Sequence, residues 1–378
     1  IVEELNKAYH IATTGRRGPV LIDLPMNIQR SEVENPVYDM TFEDKHTDAA
    51  AAQQAADTIL EALEQAKRPV IMLGHGVDSS FSQQKLIRFA QKRQIPIITS
   101  VLAKSVLGYD HPLNFGCIGG AYGHRYANMI ANAKSDLLLC FGISLCTRQI
   151  GTKVHEFARG AKIIRIDIDP YNLQRDIHEN GINEVKLQAE TGAVIDCLAK
   201  AAAPDTEGIS DWLNICTEIK ENLQAVDDAT PERYPNRMIA DLSDMLEDTS
   251  AIAVDVGQHM VWSYQSFKNH EGQKLLFSGG HGAMGYGLPA AIGAYYATGK
   301  PTACICGDGA LQMNIQELEW VKRENLPVKI MVMNNEALGM IRHLQRDYFD
   351  CLFAGTTDGC GFASCNFAEV AKAYGIPA

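Results

Sequence analysis

The sequence predicts an α/β protein with two doubly wound parallel-sheet domains and the tail of a third. Between residues 50 and 200, short apolar runs alternate with amphipathic segments, and strands separated by helices form parallel sheets. From residue 302 to residue 335, a further strand–helix–strand unit carries polar residues at both strand ends. In open sheets of this kind, ligands bind at the carboxyl ends of the strands.

Length and composition limit the classes of function that the chain can serve. The 378 residues allow two or three domains, and a hydrophobic content of 46% is ample for folded cores. The net charge of −12 argues against nucleic acid or an anionic membrane as the main partner. No run of 18 uninterrupted apolar residues occurs, so we expect no transmembrane helix. The ten cysteines form no CxxC pair, which predicts reduced, buried thiols in a cytoplasmic protein.

The first 49 residues are predicted to be the tail of a domain, residues 1–30, and a linker, residues 31–49. The tail contains a helix from Ile1 to Thr13 and a strand from Val20 to Leu24, which Pro25 ends. The linker is polar and acidic and contains Pro36.

Residues 50–200 are predicted to form a central α/β domain. The turn Gly74-His75-Gly76 follows its first strand as a nucleotide-binding turn would, although two glycines are a weak indication. The predicted helices are 51–65 and 82–93, and the predicted strands are 69–73, 95–99, 136–141 and 162–168.

Residues 201–235 are predicted to be a polar, helical crossover linker, and residues 236–378 a second α/β domain. The glycine-rich stretch 278–285 suits neither a strand nor a helix, so we predict a loop that lets the backbone approach a planar ligand. The predicted helices are 238–246, 288–296, 311–322, 338–344 and 367–373, and the predicted strands are 251–255, 302–306, 328–333 and 375–378.

The residues at the ends of strands 302–306 and 328–333 suit a diphosphate held through a divalent metal. Asp308 offers a carboxylate and Asn335 a side-chain carbonyl, and Mg²⁺ usually takes one or two oxygen ligands from the protein. Gly307 lets the backbone approach phosphates, and the helix that follows supplies N–H groups. The alternative interpretation is an ordinary strand-to-helix turn with a capping aspartate.

Three sequence blocks carry a family resemblance. They are DVGQH from residue 255, SGGHGAMGYGLPAAIG from residue 278 and GDGALQMNIQELEWVKRENLPVKIMVMNNEALGM from residue 307, which sets Asn335 27 positions after Asp308. In this order they resemble the thiamine diphosphate enzymes, and most of all the acetolactate (acetohydroxyacid) synthase large subunits. The resemblance implies an enzyme that uses thiamine diphosphate and Mg²⁺. It would decarboxylate pyruvate and join the product to a second 2-keto acid, as in branched-chain amino acid biosynthesis.

The resemblance also implies roles for individual residues. Asp308, Asn335 and the backbone carbonyl of Ala337 would hold the metal, and Met340 and Leu344 would line the substrate pocket. The implied cofactor contacts are Gln258, His259, Gly282, Met284, Gly307, Gly309, Ala310 and Met340.

Several of these roles have an alternative. Residues 257–259 could equally begin a helix with solvated polar side chains, and Met284 could be a core residue. Arg342 and His343 either meet a substrate carboxylate or are solvated. Leu344 stands where biosynthetic members usually carry a tryptophan that favours 2-ketobutyrate, so the acceptor is left open.

Flavin and the exact activity are open as well. Members that carry FAD have a GxRFDDR-like stretch, of which residues 142–148 match only Arg148, so the alternatives are a flavin site and a central domain kept as scaffold. The activity has as its alternative another thiamine diphosphate-dependent 2-keto acid decarboxylase, carboligase or oxidase. From a different class, a non-catalytic nucleotide-binding protein would show no Mg²⁺-dependent cofactor binding.

The resemblance further implies that the chain is incomplete. Residues 1–30 resemble the end of a pyrimidine-binding domain, whose activating glutamate would lie outside this sequence, so we predict no catalytic residue here. The chain opens without Met and closes inside a predicted strand, as a trimmed chain would. Family active sites lie between subunits, so we expect a homodimer or tetramer, an optional regulatory subunit and no turnover by this chain alone.

Overall fold

The computed structural model describes residues 1–34, 36, 42, 48–77, 79–120, 122–201 and 209–378. Most of the predicted linker 31–49, and residues 202–208 of the predicted crossover, lie outside the described residues. The described chain contains a six-stranded and a four-stranded sheet, and all strand pairs within both are parallel. The predicted α/β class with two parallel-sheet domains is therefore confirmed.

The amino-terminal segment contains helix α1 (Val2–Thr13) and a short helix α2 (Met26–Gln29). The helix predicted from Ile1 to Thr13 is confirmed. The strand predicted from Val20 to Leu24 is wrong, because this extended stretch pairs with no other strand in the described part of the chain. Its N–H and C=O groups therefore have no ladder to join, and Leu21 is 91% exposed.

The central sheet has the strand order β3-β2-β1-β4-β5-β6, so the direction of winding reverses between β1 and β4. Its strands are β1 (Pro69–Leu73), β2 (Ile97–Thr99), β3 (Asn114–Cys117), β4 (Leu137–Phe141), β5 (Lys162–Asp167) and β6 (Glu184–Gln188). The helices around it are α3 (Ala49–Gln65), α4 (Ser80–Arg93), α5 (Arg125–Met129), α6 (Thr147–Ile150), α7 (Pro170–Gln174), α8 (Thr191–Lys200) and α9 (Ile209–Asn222).

Differences in burial explain why some strands of the central sheet were predicted from the sequence and others were missed. All residues of β1 and β4 are buried, because hydrophobic clusters cover both faces of the sheet, and such strands are continuous apolar runs. The strands β3 and β6 were missed. β3 contains Asn114 and Gly116, and β6 alternates Glu184 and Lys186 with apolar residues at the sheet edge, so neither is an apolar run.

The carboxyl-terminal sheet has the strand order β10-β9-β7-β8. Its strands are β7 (Ala251–Val254), β8 (Lys274–Phe277), β9 (Thr302–Gly307) and β10 (Val328–Met333). The helices around it are α10 (Pro235–Met245), α11 (Gln258–Ser266), α12 (Gly287–Thr298), α13 (Asp308–Met313), α14 (Glu317–Arg323), α15 (Gly339–Tyr348) and α16 (Phe367–Ala373).

Two predictions in this domain are wrong, and one strand was missed. The predicted helix 311–322 is broken into α13 and α14 at residues 314–316, where the Asn314 side chain donates a 2.6 Å hydrogen bond to the Gly285 carbonyl. The predicted strand 375–378 is absent, since Gly375 has φ +76° and the Ile376 N–H caps α16 by bonding to Ala371. The missed strand is β8.

The two sheet domains contact each other directly. The Tyr109 N–H donates to the Asn269 carbonyl at 2.8 Å, and the Asn269 side chain donates to the Leu107 carbonyl at 2.9 Å. Arg148 Nη1 donates to the carbonyl of Gly279 at 3.3 Å. No helix in the described ranges is both long enough and apolar enough to cross a membrane.

The cysteines follow the predicted burial only in part. The free thiols that are buried are Cys117, Cys140, Cys216, Cys304 and Cys306, while Cys146 and Cys197 are half-buried. The prediction of burial is wrong for Cys351, Cys360 and Cys365, which are exposed between α15 and α16.

Candidate functional site

A cleft of about 230 Å³ opens at the carboxyl ends of the strands of the four-stranded sheet. Each strand contributes the residues that follow it, with 256–259 after β7, 282–284 after β8, 307–310 after β9 and 335–341 after β10. The structure therefore brings together, in this one cleft, all the predicted cofactor and metal residues: Gln258, His259, Gly282, Met284, Gly307, Asp308, Gly309, Ala310, Asn335, Ala337 and Met340.

The strand register explains why distant parts of the sequence meet here. Gly307 at the end of β9 pairs with Met333 at the end of β10, so the chain leaves both strands at the same edge. Asp308 and the pair Asn334-Asn335 follow directly. The direction of winding reverses between β7 and β9, and such a reversal opens a crevice between the loops of neighbouring strands.

Asp308 is the buried carboxylate of the cleft, with 2% of its surface exposed. The backbone N–H groups of Gly309, Glu336 and Ala337 lie close enough to lower its pKa, yet its Oδ2 has no hydrogen-bond partner among the described residues. Burial raises the pKa of Asp308, and these backbone groups oppose that shift. A buried carboxylate oxygen without a partner is unfavourable unless a ligand completes its coordination.

Asn335 and Gln258 hold each other at the rim of the cleft. Asn335 Nδ2 donates to Gln258 Oε1 at 3.2 Å, and Asn335 Oδ1 accepts from the Ala337 N–H at 3.2 Å. A Cβ on Gly339 would lie 2.1 Å from Gln258 Oε1, so only glycine leaves room for this amide. The turn is completed by Glu336, which has φ +53°.

His259 packs against two glycines and is almost fully buried, with 4% of its surface exposed. A Cβ on Gly257 would lie 2.6 Å from its Cε1, and one on Gly307 would lie 3.1 Å from the same atom. Burial lowers the pKa of His259 to about 4, so the ring is neutral at pH 7. Its Nε2 has no partner among the described residues, which leaves that nitrogen for a hydrogen bond with a ligand.

An apolar wall faces these polar groups. Met284, Trp262 and Leu338 line the cleft. A Cβ on Gly309 would lie 2.5 Å from Leu338 Cδ2 and 3.5 Å from Met284 Cε, so this glycine is enclosed by the wall. Sequence reasoning missed Trp262 and Gly339. Gly339 could have been suspected, because it stands next to Met340 in a quoted sequence block.

The charge of the cleft bears on which anion it can take. Of the described residues that line it, Asp308 and His259 are the ionisable ones, and none is a lysine or an arginine. No group of three or more His, Cys, Asp or Glu side chains that could hold a metal occurs in the described ranges. An anionic ligand would therefore need a divalent cation held by Asp308 together with amide and carbonyl oxygens, as Mg²⁺ often is.

The alternative of a capping aspartate receives no support. The N-cap of α13 is Gly307, and Asp308 is the first helical residue. No side-chain cap hydrogen bond is present at the start of this helix.

Three residues considered for the substrate side lie outside the cleft lining. Leu344 is 47% exposed on α15. The Arg342 guanidinium lies 5.8 Å from the centre of the Phe353 ring, and His343 Nε2 lies 2.7 Å from Asp347 Oδ2. A substrate role for these residues stays a prediction.

The glycine turn of the central domain serves packing. The N–H groups of Gly74 and Gly76 donate to the carbonyls of Phe141 and Gly142, at 2.9 and 3.0 Å, and the Val77 N–H donates to the Gly74 carbonyl. A Cβ on Gly74 would lie 2.0 Å from the Gly142 oxygen. These glycines are thus explained by the close approach of the β1 and β4 ends, without a bound nucleotide.

Family models match both sheet domains. The central domain of the thiamine pyrophosphate enzymes matches residues 56–198, and their C-terminal TPP binding domain matches residues 255–378. The chain therefore belongs to the thiamine pyrophosphate enzymes, and the family resemblance found in the sequence is confirmed.

Within that family the chain is similar to acetolactate synthases. It is 34% identical over 99% of its length to probable acetolactate synthase 2, chloroplastic, of Oryza sativa subsp. japonica, and covers 58% of that protein. It is 33% identical over 99% of its length to acetolactate synthase isozyme 1 large subunit of Escherichia coli (strain K12), covering 65%. It is 34% identical over its full length to the probable acetolactate synthase large subunit of Methanocaldococcus jannaschii, covering 64%. The chain thus spans 58 to 65% of the length of these relatives.

Proposed function

We propose that this chain binds thiamine diphosphate through Mg²⁺ and that the protein condenses pyruvate with a second 2-keto acid after decarboxylation. The similarity to acetolactate synthases supports the activity. The observation that carries the binding proposal is Asp308, a buried carboxylate with an unpartnered oxygen at the strand ends of a cleft that lacks basic side chains.

The residues of the cleft fit such a cofactor. Asp308, Asn335 and the Ala337 carbonyl supply oxygen ligands for Mg²⁺. Diphosphate oxygens would accept hydrogen bonds from the side chain of Gln258 and from Nε2 of His259. Further contacts come from the backbone of Gly309 and Ala310 to the diphosphate, and of Gly282 and Met284 to the aminopyrimidine.

The chain contributes binding, orientation and exclusion of water. Bound thiamine diphosphate supplies the carbon nucleophile that decarboxylates a 2-keto acid. The apolar wall of Met284, Trp262 and Leu338 keeps water from that part of the cleft, which strengthens the polar interactions inside it. Met340, at the start of α15, also lines the cleft and would contact the cofactor and the substrate.

The organisation of the protein is part of the proposal. Residues 1–30 would complete a pyrimidine-binding domain, residues 50–200 form the central domain and residues 236–378 bind the cofactor, with linkers at 31–49 and 201–235. The ranges matched by the family models, 56–198 and 255–378, lie inside the last two domains and support this division. We further propose a cytoplasmic homodimer or tetramer that pairs with a regulatory subunit, as the name "large subunit" of two relatives suggests. The FAD content would be read from the flavin absorbance of the purified protein.

The test has two stages. Thiamine diphosphate is titrated by calorimetry with Mg²⁺ and with EDTA, and thiamine without phosphates serves as the control ligand. Binding that requires both the metal and the diphosphate is expected, and its absence would reject the proposal. The protein in its full natural form is then given pyruvate, Mg²⁺ and thiamine diphosphate. Acetolactate and CO₂ are expected, whereas acetaldehyde and CO₂ would indicate a decarboxylase.

A further inference from the structure

The glycine-rich loop 278–286, which brings Met284 to the cleft, is held at its end from two sides. The N–H of Gly285 donates to Asp255 Oδ1 at 3.0 Å, and the carbonyl of Gly285 accepts from Asn314 Nδ2 at 2.6 Å. Gly285 itself has φ +85°, a conformation that favours glycine. We call Asp255, Gly285 and Asn314 the loop clamp.

Asp255 is well suited to fix a loop. It is 1% exposed, and it stands directly after β7, a fully buried strand. Besides Gly285, its carboxylate accepts the N–H groups of Val256 at 2.7 Å and Gly287 at 2.7 Å. Both oxygens are thus bound to backbone, directly after β7 and at the start of α12, and charge-assisted bonds of this kind are stronger than neutral ones.

The Asn314 side chain forms its hydrogen bond with the same glycine, Gly285. The helix that the sequence predicts over 311–322 breaks at Asn314, and its side chain donates to the Gly285 carbonyl. A Cβ on Gly285 would lie 2.8 Å from Asn314 Nδ2 and 2.8 Å from Met313 Cβ. The helix break and the tight packing at Gly285 therefore meet at one contact, which is the clamp.

We propose that Asp255 and Asn314 are positioning residues that hold Met284 and Gly282 where the aminopyrimidine of the cofactor binds. This inference rests on the proposed function. Neither side chain lines the cleft, so each acts through Gly285. The loop contains Gly279, Gly280 and Gly282 and would otherwise lose much conformational entropy on binding, which the clamp removes in advance.

The experiment separates the two halves of the cofactor. Inorganic diphosphate with Mg²⁺ probes the strand-end residues alone, whereas thiamine diphosphate with Mg²⁺ also needs the loop. Both ligands are titrated against the wild type and the variants Asp255→Asn and Asn314→Asp. Asp255→Asn turns a carboxylate oxygen into a donor that faces N–H groups, and Asn314→Asp sets a carboxylate against the Gly285 carbonyl. The matched controls are Asp244→Asn and Asn222→Asp, which lie on exposed helix surfaces.

The clamp predicts a selective loss. Thiamine diphosphate should bind at least about tenfold more weakly to both clamp variants, while the affinity for inorganic diphosphate changes by less than about twofold. Amide hydrogen exchange of residues 279–286 should become faster in both variants and stay unchanged in the controls.

Each other outcome has a definite meaning. If both ligands lose affinity equally, Asp255 and Asn314 maintain the fold rather than the loop, and the inference is overturned. If neither loses affinity, the clamp has no positioning role. If the wild type binds thiamine diphosphate no more tightly than inorganic diphosphate, the proposed function is contradicted rather than the clamp.

Discussion

The two parallel sheets use the polar groups at their carboxyl edges differently. In the central sheet, the N–H groups of the turn after β1 form hydrogen bonds within the protein. Gly74 donates to the Phe141 carbonyl and Gly76 to the Gly142 carbonyl. In the carboxyl-terminal sheet, Asp308 Oδ2 and His259 Nε2 are buried at the strand ends without a partner among the described residues.

The difference teaches how a ligand site can be told from a scaffold in folds of one type. Both edges have glycines after a strand and a reversal of winding, so topology and glycine content do not separate them. What separates them is that at the carboxyl-terminal edge the unpartnered atoms, Asp308 Oδ2 and His259 Nε2, belong to residues that line a cleft, whereas the N–H groups of the turn after β1 are bonded within the chain. By that criterion the carboxyl-terminal edge is the one built for a ligand.

The variant Asp308→Asn should show the largest effect among the tests of this comparison. The variant removes the charge that we assign to the metal, and thiamine diphosphate with Mg²⁺ should bind roughly 1,000-fold more weakly, about 4 kcal/mol. Without metal the variant should be at least as stable as the wild type, because a buried carboxylate with an unpartnered oxygen is gone. Calorimetric titration and thermal unfolding measure the two effects, with Asp244→Asn as the control. Unchanged cofactor affinity would contradict the assignment of the metal site.

Gly74→Ala tests the scaffold edge. The new Cβ would lie 2.0 Å from the Gly142 oxygen, which is backbone and cannot move aside easily. We expect a loss of about 3 kcal/mol in the free energy of unfolding, measured by urea denaturation. Gly293→Ala is the matched control, since an exposed helical position with nothing within 4 Å should gain slightly. If the variant kept its stability and lost affinity for a nucleotide instead, the scaffold interpretation would be wrong.

The sequence predicted the features that depend on neighbouring residues and missed those that depend on contacts between residues far apart in the chain. Asp308 and Asn335 were found because each follows an apolar run, and the run itself marks the strand end. The loop clamp was not found, because Asp255, Gly285 and Asn314 meet only once the sheet has formed. The helix break at Asn314 was missed for the same reason, since the local pattern favours a continuous helix.

The strands show the same limit. Strands that are apolar runs, such as β1 and β9, were predicted, and so was the edge strand β10. The missed strands β3, β6 and β8 are all edge strands, and each has only four or five residues with at least one polar residue among them. Val20 to Leu24 has a strand pattern but no partner in the described chain, so pattern alone does not make a strand.

Gly339→Ala tests the ligand edge with the same chemical change. Its Cβ would lie 2.1 Å from Gln258 Oε1, and displacing that side chain would break its bond to Asn335. We expect thiamine diphosphate to bind about tenfold more weakly, about 1.4 kcal/mol, while the free energy of unfolding changes less than in Gly74→Ala. Equal losses of stability in the two glycine variants would remove the distinction between the edges.

The smallest expected effect is on the pH dependence of stability, and it involves one buried histidine from each region. In the central domain His124 Nδ1 accepts the Cys117 N–H at 3.0 Å. Burial, with Lys104 and Lys220 nearby, holds the pKa of His124 well below its ordinary value, although the nearby backbone of Cys117 and Gln265 opposes the shift. Burial likewise lowers the pKa of His259 to about 4.

These lowered pKa values fix the direction of the pH dependence. Below about pH 6.5 the unfolded chain binds a proton at each histidine, whereas the folded chain does not, so stability falls as the pH falls. We expect a loss on the order of 1 kcal/mol per pH unit for each histidine between pH 6.5 and 5, measured by urea denaturation. His124→Gln removes one of these protons and should reduce the slope. A slope that is equal in the variant and the wild type would mean that His124 takes up its proton in the folded state, and that burial does not hold the ring neutral.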